Sequence, residues 1–122
     1  MKIAISSNDG SPHSPFSSRF GRCSNFAFFD TETQSWDKAE NPARSSRGGA
    51  GTQLVQYLAD QGVEVLISGR YGPNAFLAIQ ASGIDAYLGK TGTPTDLVEK
   101  FQSGILPKAT GPSGPGYHGG EH

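Results

Sequence analysis

Val63 to Ser82 reads VEVLISGRYGPNAFLAIQAS, and within it the hydrophobic period changes. Val63 to Ser68, VEVLIS, is a short apolar run of strand type. Pro73 then opens a helix at the position where a missing N–H costs nothing. Phe76 and Ile79 lie on its inner face, and Gly83 stops it. Ile84 to Leu88 is again a strand. Strand, helix and strand in such close succession call for two parallel strands joined by a right-handed crossover.

Outward from that unit the pattern repeats on both sides. Thr52 to Gln61 is a helix with Leu54, Val55 and Leu58 on one face, closed by Gly62. Thr93-Pro94-Thr95-Asp96 is a helix start: an N-cap, a first-turn proline and an acid three residues after the cap. That helix buries Leu97, Val98 and Phe101 and ends at Gly104. Toward the N-terminus, Lys2 to Ser6 (KIAIS) reads as a buried strand and Ser7 to Ser18 as a loop. Phe26 to Asp30 (FAFFD) and Ser35 to Glu40 (SWDKAE) form a hairpin around a turn at Thr31 to Gln34. The order is β-β-β-α-β-α-β-α. It predicts a five-stranded mixed sheet with strand 2 antiparallel and helices on both faces.

The chain has 122 residues, enough for one domain with one core. The folded domain is expected over residues 1–106. From Pro107 the sequence PKATGPSGPGYHGGEH is half glycine and proline and is read as a disordered tail over 107–122. Its His118 and His122 have no helix to fix them and are read as solvated, offering a metal at most a loose contact. The formal net charge of −1 gives no global field for nucleic acid or an anionic membrane, so any anion site must be local. The longest N-terminal apolar run, Ile3 to Ile5, is too short for a signal peptide or a membrane span. With a single cysteine, a reducing cytoplasm is the expected compartment. One thiol also excludes a zinc ribbon or a four-cysteine iron–sulfur cage.

In a sheet with crossover helices, ligands sit beyond the carboxyl ends of the parallel strands. Four segments converge there: Ser7 to Cys23, the loop Asn41 to Gly51 (NPARSSRGGAG), Ser68 to Asn74, and Gly89 to Thr93. Three of them end at a helix N-terminus, where free N–H groups and the helix dipole favour an anion. Arg19, Arg22, Arg44, Arg47, Arg70 and Lys90 all fall in these segments, six of the ten basic residues. No GxxxxGK[ST] loop is present and no GxGxxG follows a strand, and the Gly48-Gly49-Ala50-Gly51 run is weak and equally read as a connector.

The one thiol, Cys23, follows Arg19 and Arg22 in SSRFGRC. It is either a small hydrophobe at a strand entrance or a thiolate whose pKa the arginines lower, suited to ligate metal. His13 is the only histidine near it in sequence and a weaker ligand candidate. A two-metal nuclease needs clustered carboxylates. KIAIS has none, and Asp9, Asp30 and Asp85 do not converge, so that reading is disfavoured.

The stretches KIAIS, RFGRCSNFAFFD, ENP (Glu40 to Pro42), GGAG, VEVLISGRYGPNAF, GIDAY and GTPTDLVEKFQSG follow one another from Met1 to about Leu106. In these the chain resembles the dinitrogenase iron–molybdenum cofactor biosynthesis family, small carriers of the NifX and NafY type. The resemblance implies a ribonuclease H-like, three-layer α/β/α fold. It implies a non-enzymatic carrier that binds an anionic metal–sulfur cluster of iron–sulfur or molybdenum type, or its precursor, and passes it to a protein acceptor. No nucleic-acid or membrane partner is implied. Relatives often place His before FGR, where this chain has Arg19. Arg19, Arg22, Arg70, Gly72 and Asn74 are then expected to hold the cluster by charge and helix-end amides, with Cys23, or less so His13, as metal ligand. The alternative is a metal-free regulatory or interaction module that binds a small anionic metabolite or a partner protein. A weaker third reading, an enzyme on a phosphorylated compound, lacks an acid–base pair.

Overall fold

The structure, a computed structural model, describes residues 1–43 and 50–111. Alternation along the first strand, β1 (Lys2–Ser7), sorts the core into two layers. Ile3 and Ile5 face one side with Phe29, Val65 and Ile67, and there they meet Leu97 and Val98. Ala4 faces the other side with Phe26, Phe28 and Leu66, beneath Leu54, Leu58, Phe76 and Ile79. Each large aliphatic side chain removed from water in this way contributes roughly 1.5–3 kcal/mol.

The remaining elements are β2 (Asn25–Asp30), β3 (Ser35–Glu40), α1 (Ala50–Asp60), β4 (Val65–Ser68), α2 (Pro73–Ser82), β5 (Asp85–Leu88) and α3 (Pro94–Gln102). A single 3-10 turn, Phe20–Arg22, precedes β2. The sheet order is β3-β2-β1-β4-β5. β1 runs parallel to β4, and β4 to β5. β2 alone is antiparallel, pairing β1 from Lys2↔Asp30 to Ser7↔Asn25 and β3 from Asn25↔Glu40 to Asp30↔Ser35. With α1 and α2 on one face and α3 on the other, this is the expected ribonuclease H-like three-layer α/β/α arrangement with a five-stranded mixed sheet.

The expected boundary at residue 106 is not where order stops. The Leu88 amide donates to the Pro107 carbonyl at 2.9 Å, and the Ala109 amide donates to Ala86 at 2.8 Å. Ala109 is buried, and Lys108 pairs with Asp85 at 3.1 Å. Residues 107–109 therefore cover the open edge of β5. The edge needs backbone donors and acceptors rather than apolar side chains, so a tail poor in hydrophobic residues can satisfy it. His118 and His122 lie outside the described residues.

Candidate functional site

Topology brings the carboxyl ends of β1, β4 and β5 to one rim of the sheet. Ser6 and Ser68, near the ends of adjacent strands, are fully buried and share a hydroxyl–hydroxyl hydrogen bond of 2.7 Å. The Ser6 hydroxyl also donates to the Ser17 carbonyl. The loop after β1 is thereby tied down onto the end of β4.

That tie aligns the 17–20 segment with residues 69–71. Arg19 and Arg70 form a parallel backbone bridge, and the Phe20 amide donates to the Arg70 carbonyl at 3.4 Å. The next residue on each side is buried: the Phe20 and Tyr71 rings lie 5.5 Å apart between centroids. Tyr71 is completely buried, and its hydroxyl donates to the Tyr87 carbonyl at 2.8 Å. Removal of the phenol from water raises its pKa well above the usual tyrosine range. Arg19 and Arg22 are exposed and Arg70 half-buried. The ion pairs among the described residues, Met1 to Glu32 and Lys108 to Asp85, leave these three arginines without a carboxylate partner. Arg44 and Arg47, expected at the same rim, lie outside the described residues. Lys90 is exposed on the β5–α3 loop.

Helix N-termini reach this rim in two different states. α2 has Gly72 at its N-cap with no side-chain cap hydrogen bond and Pro73 in its first turn. Its first intrahelical bond runs from the Phe76 amide to the Gly72 carbonyl at 2.9 Å. Asn74 and Ala75 therefore bring amides that the helix itself cannot satisfy. The N-terminus of α1 lies beside it, since a Cβ added to Gly51 would sit 2.8 Å from that of Ala75. The third helix end does not fit the expectation of three open anion sites. α3 is closed by a full capping box, with the Thr93 hydroxyl accepting from the Asp96 amide and the Asp96 carboxylate accepting from the Thr93 amide.

Cys23 is 2% exposed and packs in the layer beneath α1 and α2. Its thiol donates to the Phe20 carbonyl at 3.3 Å. Burial pushes its pKa up to about 12, against smaller opposing hydrogen bonds. Of the two readings of Cys23, its burial favours the small hydrophobe over a thiolate lowered by neighbouring arginines. Desolvation outweighs charges whose side chains point to water, and the sulfur is a neutral packing group in this state. Asn41, itself 3% exposed, fixes the segment by donating to the Cys23 carbonyl at 2.9 Å and accepting from the Ala43 amide at 2.8 Å. His13 is exposed and follows Pro12, whose carbonyl accepts from the Thr95 amide and hydroxyl at the start of α3. The two suggested metal ligands thus belong to opposite sides of the sheet. Among the described residues, no three His, Cys, Asp or Glu side chains gather as a ligand set.

The sequence reading missed Ser6, Ser68, Gly69, Tyr71 and Asn41 as builders of the site. Their signals were present: a polar pair closing two apolar strands, and an aromatic inside SGRYG.

A small ribonuclease H-like α/β domain with arginines that no described carboxylate pairs, set at an open helix end, defines the class. The family model for the dinitrogenase iron–molybdenum cofactor matches residues 1–104. The chain belongs to that family. Its structure resembles the apo form of the orange protein from Desulfovibrio gigas, at 32% identity and a TM-score of 0.89, over 93% of this chain and 96% of that one. It also resembles a candidate NifB protein from Thermotoga, at 33% identity and a TM-score of 0.82, over 94% and 98% of the two chains. A candidate dinitrogenase from Methanocaldococcus jannaschii shares the fold at 17% identity and a TM-score of 0.69, over 92% and 97% of the two chains. Among proteins with curated descriptions, none matches the chain. No helix among the described residues is long and apolar enough to cross a membrane.

Proposed function

We propose that this protein binds an anionic metal–sulfur cluster, or a precursor of one, at the carboxyl rim of its sheet and passes it to a protein acceptor without chemical change. The observation that supports this most is the placement of Arg19, Arg22 and Arg70, unpaired by any described carboxylate, beside the uncapped N-terminus of α2. Such a cluster is cargo and brings its own sulfides. The carrier has to neutralise charge and present donors. Arg19, Arg22 and Arg70 supply the charge, and the backbone from Gly72 to Ala75 supplies the amides.

The thiol fits less well than the charge does. A neutral, buried Cys23 cannot ligate unless the turn at Phe20–Arg22 opens, and His13 sits on the α3 side. The reading therefore favours retention by charge and amides, which permits release, over retention by protein ligands. Membership of the dinitrogenase iron–molybdenum cofactor family supports iron–sulfur or molybdenum-type cargo. Cargo of that kind is stable in a reducing compartment, the cytoplasm.

The test is an anaerobic titration with tetrathiomolybdate and copper(I), or with an iron–sulfur precursor. A saturable charge-transfer band is expected in wild type, weakened in Arg70→Ala and retained in Cys23→Ala. Absence of any band at millimolar protein overturns the proposal. The burial of Cys23 also suits a second reading, a metal-free module for a small anionic metabolite or partner. Metal analysis of protein purified without oxygen or chelators separates the two.

A further inference from the structure

The arginine pair exists because two backbone segments touch at a glycine. A Cβ built on Gly69 would lie 2.7 Å from the Ser18 Cβ, 2.9 Å from its Cα and 3.0 Å from its carbonyl oxygen. Two of those three atoms are backbone and cannot rotate away. Any side chain at 69 therefore drives the 17–20 segment off the end of β4. The Ser6–Ser17 and Ser6–Ser68 hydrogen bonds hold it on from the other side.

The consequence is a two-rung ladder. In one rung Phe20 and Tyr71 are buried together. In the other, Arg19 and Arg70 stand opposite each other in a bridge, so their side chains leave neighbouring segments about 5 Å apart on a shared side. The two guanidiniums are like charges carried on the same side of adjoining segments, and no described carboxylate relieves them. A monoanion neutralises one of the pair, whereas a dianion neutralises both.

We propose that Gly69 is a positioning residue that creates an arginine rung, Arg19 with Arg70, and that this rung selects cargo carrying two or more negative charges over singly charged cargo of the same shape. The inference rests on the carrier reading above and adds the charge class of the cargo.

Two isosteric probes test it: tetrathiomolybdate, a dianion, and tetrathioperrhenate, a monoanion. Each is titrated into wild type, Gly69→Ala, Arg19→Gln, Arg70→Gln and the double glutamine variant. Wild type is expected to favour the dianion about fivefold, since it gains one surface charge contact over the monoanion and each such contact is worth up to about fivefold. Gly69→Ala should reduce that ratio to about twofold while binding of the monoanion changes little. Hydrogen exchange at the Phe20 amide reports the geometry without ligand, and its protection should drop at least tenfold in Gly69→Ala while β4 and β5 amides keep theirs. The two arginine substitutions should be non-additive on the ratio. If wild type binds both probes with equal affinity, or if Gly69→Ala frees the Phe20 amide yet keeps the full ratio, the rung has no selective role and the carrier reading stands. If wild type binds neither probe, the inference falls, and the carrier reading is decided separately by the titration with copper(I) and thiomolybdate or an iron–sulfur precursor. Should Gly69→Ala fail to fold, the arginine cycle in wild-type backbone decides: additive effects on the ratio overturn the inference.

Discussion

α2 and α3 begin alike and end up serving different needs. Each follows a parallel strand, each has proline in its first turn, and both open onto the same rim. α3 is closed by its own residues, Thr93 at the cap and Asp96 three positions on. α2 has glycine and alanine at those positions, Gly72 and Ala75, and nothing in its own first turn to take up its amides. A helix end closed by its own side chains stabilises the fold and offers nothing outward. An end left open is less stable on its own and is free for a guest. The arginines lie at the open end and the acid at the closed one.

The open end must then be held in place from below, and the largest effect should come from removing that support. Tyr71→Ala is expected to cost about 3–5 kcal/mol in chemical denaturation, because a fully buried ring leaves a cavity and the Tyr87 carbonyl loses its donor. Tyr71→Phe, which keeps the ring, should cost about 1–2 kcal/mol. If both cost the same, the hydroxyl rather than the ring is the support.

Cys23 gives the next effect, one visible in pH. Its thiol titrates near 9.0 when unfolded and near 12 in the fold. Between those values the unfolded chain has lost a proton that the native state keeps. Stability therefore falls as pH rises through that window, by about 1.4 kcal/mol per unit, and is untouched below it. Unfolding free energies from pH 8 to 10.5 should decline more steeply in wild type than in Cys23→Ala. Equal slopes would mean that the thiol is not held neutral, and the ligand reading of Cys23 would regain its footing.

The two helix ends also mark what can be read from sequence. α3's cap is local: Thr93, Pro94 and Asp96 contain all of it, so the cap was legible even though the same helix end was counted among those favouring an anion. The strand order was legible too, because alternating strands and helices leave few ways to build a sheet. The state of Cys23 was not. It depends on Phe20, Asn41 and the layer under α1 and α2, brought together by tertiary packing, while the adjacent arginines that suggested a thiolate turn toward water. The Pro107–Ala109 segment was misread for a related reason. It is held by main-chain hydrogen bonds to β5, to which composition is blind. Gly69 was visible only as one glycine among 17 until Ser18 was seen pressed against it.

Closing the open end is the direct way to break the contrast. Gly72 has extended backbone, with φ −69° and ψ 170°, and a Cβ there would meet nothing within 4 Å. Gly72→Asp should therefore be accepted and place a carboxylate over the free amides. Native stability should rise by a few tenths of a kcal/mol. Thiomolybdate binding should weaken about tenfold, near 1.4 kcal/mol, as the fixed anion occupies the donors and opposes the charge. Unchanged affinity in isothermal titration would remove α2's N-terminus from the site.

The converse opens the closed end. Thr93→Ala removes the acceptor for the Asp96 amide and should lower stability by about 1 kcal/mol, seen as a shift in denaturant midpoint at constant slope. Thiomolybdate affinity should not change. The freed amide at α3 still faces the Asp96 carboxylate, which keeps its bond to the Thr93 amide, and none of the paired arginines lies on that loop. An anion gains nothing there that water does not already supply. A gain in affinity in Thr93→Ala would show that a bare helix end alone is enough to capture cargo, and that the arginines of the α2 side are dispensable.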